Sequence, residues 1–149
     1  MKIIKLFEEK QRLLRSFLER TRGFHTSLSK EGVEIEEKLD LIDELSDVRE
    51  ANLRVMQALD AEIDQAKKAL LPPEVIRLQS DPGFKEVLDG VMTIIREIQL
   101  TDQSLFLYIQ GTGYELRSRI LKSLKEKEAV SKFKSQSQSP TGDGIDQTV

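Results

Sequence analysis

The sequence predicts an all-α fold: an elongated antiparallel three-helix bundle, or helical hairpin, with coiled-coil character and a disordered C-terminal tail. The first observation is the small number of helix breakers, because the 149 residues include only four prolines, Pro72, Pro73, Pro82 and Pro140. The second is that the long proline-free stretches are rich in Leu, Glu, Lys, Arg and Gln, which are good helix formers. The third is apolar spacing of three, four and seven residues, with no alternating strand pattern.

The first helix is predicted over residues 2–28. Its apolar positions, from Ile3 to Leu28, fall mostly three, four or seven residues apart and form one wide stripe. Gly23, Ser27, Ser29 and Gly32 indicate a break between this helix and the next, with Ser29 as a candidate cap for the second helix.

The second helix is predicted over residues 30–71, where the heptad pattern is clearest. One seam repeats every seven residues at Ile35, Ile42, Arg49, Met56, Ile63 and Leu70. A companion seam follows at Leu45, Asn52, Leu59 and Ala66. A heptad kept over about five repeats predicts close, nearly parallel packing of helix axes. A helix of some 40 residues would be about 60 Å long, which favours an elongated molecule.

A short segment, Glu74 to Gln79, is expected to form a turn or two of helix, and the third long helix is predicted over residues 82–133. Asp81 has the position of a cap, and Pro82 that of the first helical residue. Gly111 and Gly113 interrupt the helical pattern, and they either permit close helix approach or form a hinge. The bundle therefore covers residues 1–134, and the polar residues 135–149 are expected to be disordered.

Three polar residues, Arg49, Asn52 and Asp102, occupy seam positions where apolar residues are expected. Polar groups in a seam reduce stability but can fix helix register, and Arg49 and Asp102 are able to pair across the bundle. The alternative is a seam that is partly exposed at this level, and the sequence leaves both possibilities open.

The residue types argue against catalysis, and we expect no catalytic, cofactor or metal site. The chain has no Cys and a single histidine, His25, which falls in a predicted exposed loop. The acidic run over residues 34–47 lacks the Glu-x-x-His pairs of di-iron bundles and the spacing of a calcium loop. We interpret it as a solvated or charge-complementary face.

Charge and hydropathy also limit the partners. A net charge of −3 does not favour nucleic acid. Lys5 and Glu8 interrupt the apolar N-terminal run, so no signal peptide or membrane helix is expected, and the predicted location is cytoplasmic. Residues 114–134 form a basic amphipathic segment with seven Lys or Arg against three Glu. Protein binding or bundle packing is favoured for this segment over contact with a lipid surface, and no stable membrane insertion is expected.

Two stretches resemble the FlgN/FliT-type export chaperones of the bacterial flagellar type III secretion system. Residues 39–49 read LDLIDELSDVR and are followed by LDAEI at residues 59–63. Residues 94–102 read IIREIQLTD and are followed by a leucine-rich and lysine-rich run to Ala129 and an aromatic residue at Phe133. The similarity covers roughly residues 3–134, although the proline-rich connection and the Gly-Thr-Gly sequence have no counterpart that we can match.

The resemblance implies a cytoplasmic, non-catalytic chaperone in biogenesis of the bacterial flagellum. Such a protein holds an amphipathic helix of a hook-associated or filament-cap subunit in an apolar groove. It also implies that the C-terminal helical part carries the contact, which assigns partner binding to Leu105, Phe106, Tyr108, Ile109, Leu116, Ile120, Leu121 and Leu124. Because Leu105 and Ile109 fill the seam, at least one of the aromatic residues is expected to face a partner. The alternative function is a structural or adaptor coiled coil that oligomerises through its heptad seams, and a homodimer is compatible with either.

Overall fold

The protein is all-α over the residues that the structure describes. The structure is a computed structural model that describes residues 1–138, with side chains as far as Lys132. This part of the chain contains four helices and no strand: α1 is Lys2–Ser29, α2 is Ile35–Lys68, α3 is Pro72–Gln79 and α4 is Pro82–Gln138. The prediction of an all-α fold is therefore confirmed.

Helix α1 continues through Gly23 and ends at Ser29, one residue beyond the predicted end at residue 28. The helix is held on both sides of the glycine, because Thr21 and Leu28 are buried. Ser29 is the last residue of α1 and does not cap α2, since its hydroxyl donates to the carbonyl oxygen of Thr26 at 3.3 Å. The turn that follows uses the positive φ of Gly32 (79°), a conformation that glycine adopts without a Cβ penalty.

The short helix α3 is longer than expected, since it begins at Pro72 with both prolines in its first turn. A proline is tolerated there because the first backbone N–H groups of a helix have no intrahelical partner. The cap of α4 is as predicted. The carboxylate of Asp81 accepts hydrogen bonds from the backbone N–H groups of Gly83, at 2.8 Å, and Phe84, at 3.2 Å.

Helix α4 is continuous past the Gly-Thr-Gly sequence. A Cβ added at Gly111 or Gly113 would meet no atom within 4 Å, so close helix approach at these glycines is not what the structure shows. The helix extends to Gln138 rather than to residue 133. The rest of the predicted tail, residues 139–149, lies outside the described residues.

The chain divides into two compact units, unit 1 from Met1 to Ile109 and unit 2 from Gln110 onward.

The core of unit 1 consists of three apolar clusters, and their order along each helix shows in which direction the helices run. The first cluster contains Ile3 and Phe7 of α1, Leu59 and Ile63 of α2, Leu78 of α3 and Phe84 of α4. The second contains Leu14 and Leu18 of α1, Met56 of α2 and Val91, Ile94 and Ile98 of α4. The third contains Leu28 of α1, Leu45 of α2 and Leu105 of α4. It follows that α2 runs antiparallel to both α1 and α4, while α1 and α4 run in the same direction.

Unit 2 is a single helix over its described residues, the C-terminal part of α4. Every side chain from Arg117 to Lys132 is exposed. The exposed side chains include large apolar groups, with Leu121 59% and Leu124 56% exposed. We call residues 117–132 the exposed segment.

Candidate functional site

A groove lies between α2 and α4 on the surface of unit 1. Two cavities form it, with volumes of about 570 and 440 Å³, and they are adjacent because Arg49 lines both. We call this surface the α2–α4 groove. Helix α2 contributes Ile42, Leu45, Ser46, Arg49, Glu50, Asn52, Leu53 and Met56. Helix α4 contributes Ile95, Ile98, Gln99, Asp102, Gln103, Leu105, Phe106 and Ile109, and α1 adds Leu14 and Phe17.

An ion pair between Arg49 and Asp102 joins the two walls of the groove. The guanidinium donates two parallel hydrogen bonds to the carboxylate, from Nη1 to Oδ1 at 2.5 Å and from Nη2 to Oδ2 at 2.8 Å. The same guanidinium carbon lies 5.6 Å from the centre of the Phe17 ring, within cation–π range. The fork geometry of Arg matches a carboxylate, so this pair fixes the register of α2 against α4.

The ion pair also shifts the pKa of Arg49. The hydrogen bonds that Arg49 donates to Asp102 raise the pKa of the guanidinium above its ordinary value, and partial burial opposes that rise. Both side chains keep contact with water, since they are 39% and 31% exposed. The sequence left two possibilities open, an Arg49–Asp102 pair or a partly exposed seam. The structure has both: the two side chains are paired, and both are partly exposed.

Asn52, the third polar residue of the seam, is not satisfied in the same way. Its residue is half-buried, and its side-chain nitrogen Nδ2 is shielded from solvent without a hydrogen-bond partner among the described residues. A buried donor without an acceptor destabilises a fold by about 1–3 kcal/mol. Asn52 therefore destabilises the fold at a position that lines the α2–α4 groove.

The two rims of the groove differ in charge. On α2, Asp43 and Asp47 are exposed at helical spacing beside the lining residues Ser46 and Glu50. Neither aspartate forms an ion pair within the described part of the chain. On α4 the rim carries the carboxamides of Gln99 and Gln103, which are also exposed. By the same spacing the exposed Arg96 precedes the lining residue Gln99 on α4, so the α2 side of the groove is acidic and the α4 side carries a basic residue beside its carboxamides.

The four predicted site residues of unit 1 differ in their exposure and in their contacts. Leu105 is only 2% exposed and belongs to the third core cluster, so its side chain is not available to a partner as it stands. Ile109 is half-buried against the same cluster and lines the groove. Phe106 is 59% exposed and also lines the groove. Tyr108 is 41% exposed, and its ring meets the His25 ring edge-on with centroids 5.1 Å apart.

The four predicted residues of unit 2 lie along one helix. Leu116 is half-buried, whereas Ile120, Leu121 and Leu124 are between 51% and 59% exposed. Successive members are four, one and three residues apart along α4, a spacing that keeps them on one broad face. These residues present an apolar surface of their own.

Sequence reasoning missed the α2 wall of the groove. Ser46 and Leu53 fall outside the heptad seams, and Leu53 is 58% exposed in spite of its apolar side chain. The available signal was the position of Leu53 four residues after Arg49, which places both on one helix face. The resemblance instead directed the prediction to the C-terminal helix.

The described residues contain no group of three or more His, Cys, Asp or Glu side chains that could hold a metal ion. His25 lies within α1 and is half-buried, so its expected location in an exposed loop is wrong. The reason is that α1 does not break at Gly23.

Comparison with known proteins gives no relative from which a function can be inferred: no family model, no curated protein and no solved structure matches the chain. Within residues 1–138, none of the helices has both the length and the apolar character needed to cross a membrane.

Proposed function

We propose that this protein is a non-catalytic binding protein that holds an amphipathic helix of a partner protein in the α2–α4 groove. The observation that carries the proposal is the groove itself, an apolar channel between two helices with polar rims. Helix-in-groove binding places the apolar face of a helix on such a channel and leaves its polar face in water.

The dimensions of the groove suit one helix. Along α4 the lining residues extend from Ile95 to Ile109, which corresponds to about 21 Å of helix. A partner helix of about 14 residues matches that length. Phe106 and Leu53 are the exposed apolar side chains on opposite walls, and they would contact the partner from both sides.

Unit 1 acts in this proposal as a three-helix bundle with coiled-coil character. The clustering of α1, α2 and α4 around common apolar seams supports that description. The Arg49–Asp102 pair keeps α2 and α4 in register, so the groove is formed before a partner arrives. A preformed site reduces the ordering entropy that binding must overcome.

The kind of partner comes from the resemblance in the sequence. We propose that the chain is a flagellar export chaperone in the cytoplasm and that the partner is a hook-associated or filament-cap subunit. Holding the terminal amphipathic helix of such a subunit would prevent its early assembly.

Binding of synthetic peptides tests this function. The probes are peptides with the terminal amphipathic helices of the hook-associated and cap proteins encoded in the same genome, with scrambled peptides of equal composition as controls. Fluorescence anisotropy at dilute protein is expected to show saturable binding of at least one helix and of no scrambled peptide. If none of the helices binds above its scrambled form, the proposed function is wrong.

Variants locate the contact. Leu53→Glu and Phe106→Glu are both exposed changes in the groove, and each is expected to weaken peptide binding at least about tenfold. The matched control is Ile76→Glu on α3, an exposed apolar residue outside the groove. Leu116→Ala with Ile120→Ala measures the contribution of the C-terminal face, and we expect loss of capture with little loss of helicity. Equal binding by the groove variants and the control would exclude the α2–α4 groove as the site.

A further inference from the structure

Among the side chains that the structure describes, Asn52 alone has a buried nitrogen or oxygen atom without a hydrogen-bond partner, its amide nitrogen Nδ2. The residue occupies a seam of α2 between Leu45 and Leu59, which are 3% and 7% exposed. A leucine at this position would continue the seam without an unpaired donor. Because unsatisfied buried donors are rare in folded proteins, we expect this amide to have an acceptor that the free chain lacks.

Asn52 also lines the cavity of about 440 Å³ in the α2–α4 groove. The carboxamide torsion of an asparagine has broad minima, so the amide can turn toward a group in that cavity. The other polar groups of the α2 wall are already engaged, since Arg49 donates two hydrogen bonds to Asp102. Glu50 accepts a hydrogen bond from Arg54 at 2.7 Å. Asn52 is therefore the lining residue of this wall whose donor is both shielded and unpaired.

The surroundings of the amide favour an uncharged partner. Most of the cavity lining is apolar and comes from Leu14, Phe17, Leu53, Met56, Ile95 and Ile98. A charged group would lose its hydration in such a cavity, whereas an aliphatic group would leave the donor unpaired. A carboxamide both donates and accepts hydrogen bonds, so an Asn or Gln side chain matches either orientation of the Asn52 amide.

We propose that Asn52 determines which helices the groove prefers, by donating a hydrogen bond to an Asn or Gln on the apolar face of the bound helix. The proposal rests on the function proposed above and adds the chemistry and the register of the partner. A single buried asparagine fixes the register of a coiled coil in the same way, at a cost in stability. Because Nδ2 has no bound water to lose in the free groove, its hydrogen bond contributes more to affinity than that of an exposed donor.

Binding of two designed peptides tests the pairing. Both are amphipathic helices of about 15 residues with a leucine face, which matches the length of the groove. They differ only at the central apolar position, which is Asn in one peptide and Leu in the other. Fluorescence anisotropy measures each peptide with the full chain and with its Asn52→Leu variant. We expect the ratio of the two dissociation constants to differ at least about tenfold between the two proteins, with the Asn peptide favoured by the original chain.

The matched control is Gln57→Leu, an exposed position of α2 outside the groove lining. It is expected to leave the ratio unchanged within about twofold. Nuclear magnetic resonance gives a direct readout of the hydrogen bond. The side-chain amide protons of Asn52 are expected to shift when the Asn peptide is added and to shift much less with the Leu peptide.

Peptides that bind with the same ratio to the original chain and to Asn52→Leu would overturn the proposal and leave the proposed function standing. Unchanged Asn52 amide resonances in the complex with the Asn peptide would have the same meaning. Binding of neither peptide to either protein would remove the helix site itself, and with it both proposals.

Discussion

Helix α4 contributes to two regions that differ sharply in packing, although apolar residues recur at helical spacing in both. In unit 1 its apolar residues Val91, Ile98 and Leu105 are buried against α1 and α2. In the exposed segment, Leu121 and Leu124 are also apolar residues of a helix, but both are more than half exposed. The comparison shows that apolar periodicity predicts a helix and its face, while burial depends on whether another element is within reach.

The largest expected effect is the difference in unfolding free energy when a leucine of each region is changed to alanine. Leu105→Ala removes a side chain that is 2% exposed, so we expect unfolding free energy to fall by about 3 kcal/mol. Leu121→Ala in the exposed segment is expected to change it by less than about 0.5 kcal/mol. Urea unfolding followed by circular dichroism measures both at low protein concentration. Similar losses for the two variants would show that the exposed segment is packed in solution.

A second, opposite effect is expected at Asn52, the unsatisfied amide within unit 1. Asn52→Leu removes a shielded donor without a partner and is expected to raise unfolding free energy by about 1.5 kcal/mol. The matched control is Gln57→Leu, an exposed position on the same helix, where little change is expected. Destabilisation by Asn52→Leu would mean that the amide has an acceptor in solution.

The tertiary ion pair of unit 1 gives a smaller effect. A double-mutant cycle with Arg49→Ala and Asp102→Ala is expected to give a coupling energy of about 1 kcal/mol, reduced from that of a fully buried pair because both side chains contact water. The comparison cycle is Glu50 with Arg54, a more exposed pair four residues apart, for which about 0.4 kcal/mol is expected. Equal couplings would remove the argument that Arg49 and Asp102 set the register of the groove.

The smallest effect concerns the glycines in unit 2. Gly111→Ala and Gly113→Ala place a methyl group in open space within a helix and are each expected to stabilise it by about 0.5–1 kcal/mol. Gly32→Ala is the contrasting control, since a positive φ makes alanine unfavourable there. Hydrogen exchange of the backbone amides around residue 112 measures the local effect. Faster exchange in the two helix variants would indicate that the glycines are needed for a conformation other than this helix.

Much of the fold follows from residue spacing alone. The buried residues Ile35, Leu45, Leu59 and Ile63 of α2 were all members of the predicted seams, and Asp81 was identified as a cap because its position before Pro82 is distinctive. Helix ends were less predictable. Gly23 lowers helix propensity by about 1 kcal/mol relative to Ala, but the burial of Leu28 beyond it outweighs that local preference.

The candidate site was predictable only in part. Phe106 and Ile109 do line the groove, whereas Leu105 belongs to the core. The distinction requires knowing how α4 is rotated against α1 and α2, and that rotation is a property of the packed unit. The α2 wall at Ser46 and Leu53 could not be assigned for the same reason.

The parallel arrangement of α1 and α4 has a consequence for how the chain folds during synthesis. Leu14 and Leu18 of α1 pack against Val91, Ile94 and Ile98, which lie more than 70 residues later in the chain. The antiparallel pair α1–α2 is closed by a short turn and can form first, because local contacts have a smaller loop-closure entropy. Until α4 leaves the ribosome, that hairpin displays an uncovered apolar strip. The nascent chain is then most vulnerable to aggregation, and a slow stretch of translation between residues 70 and 90 would prolong the interval.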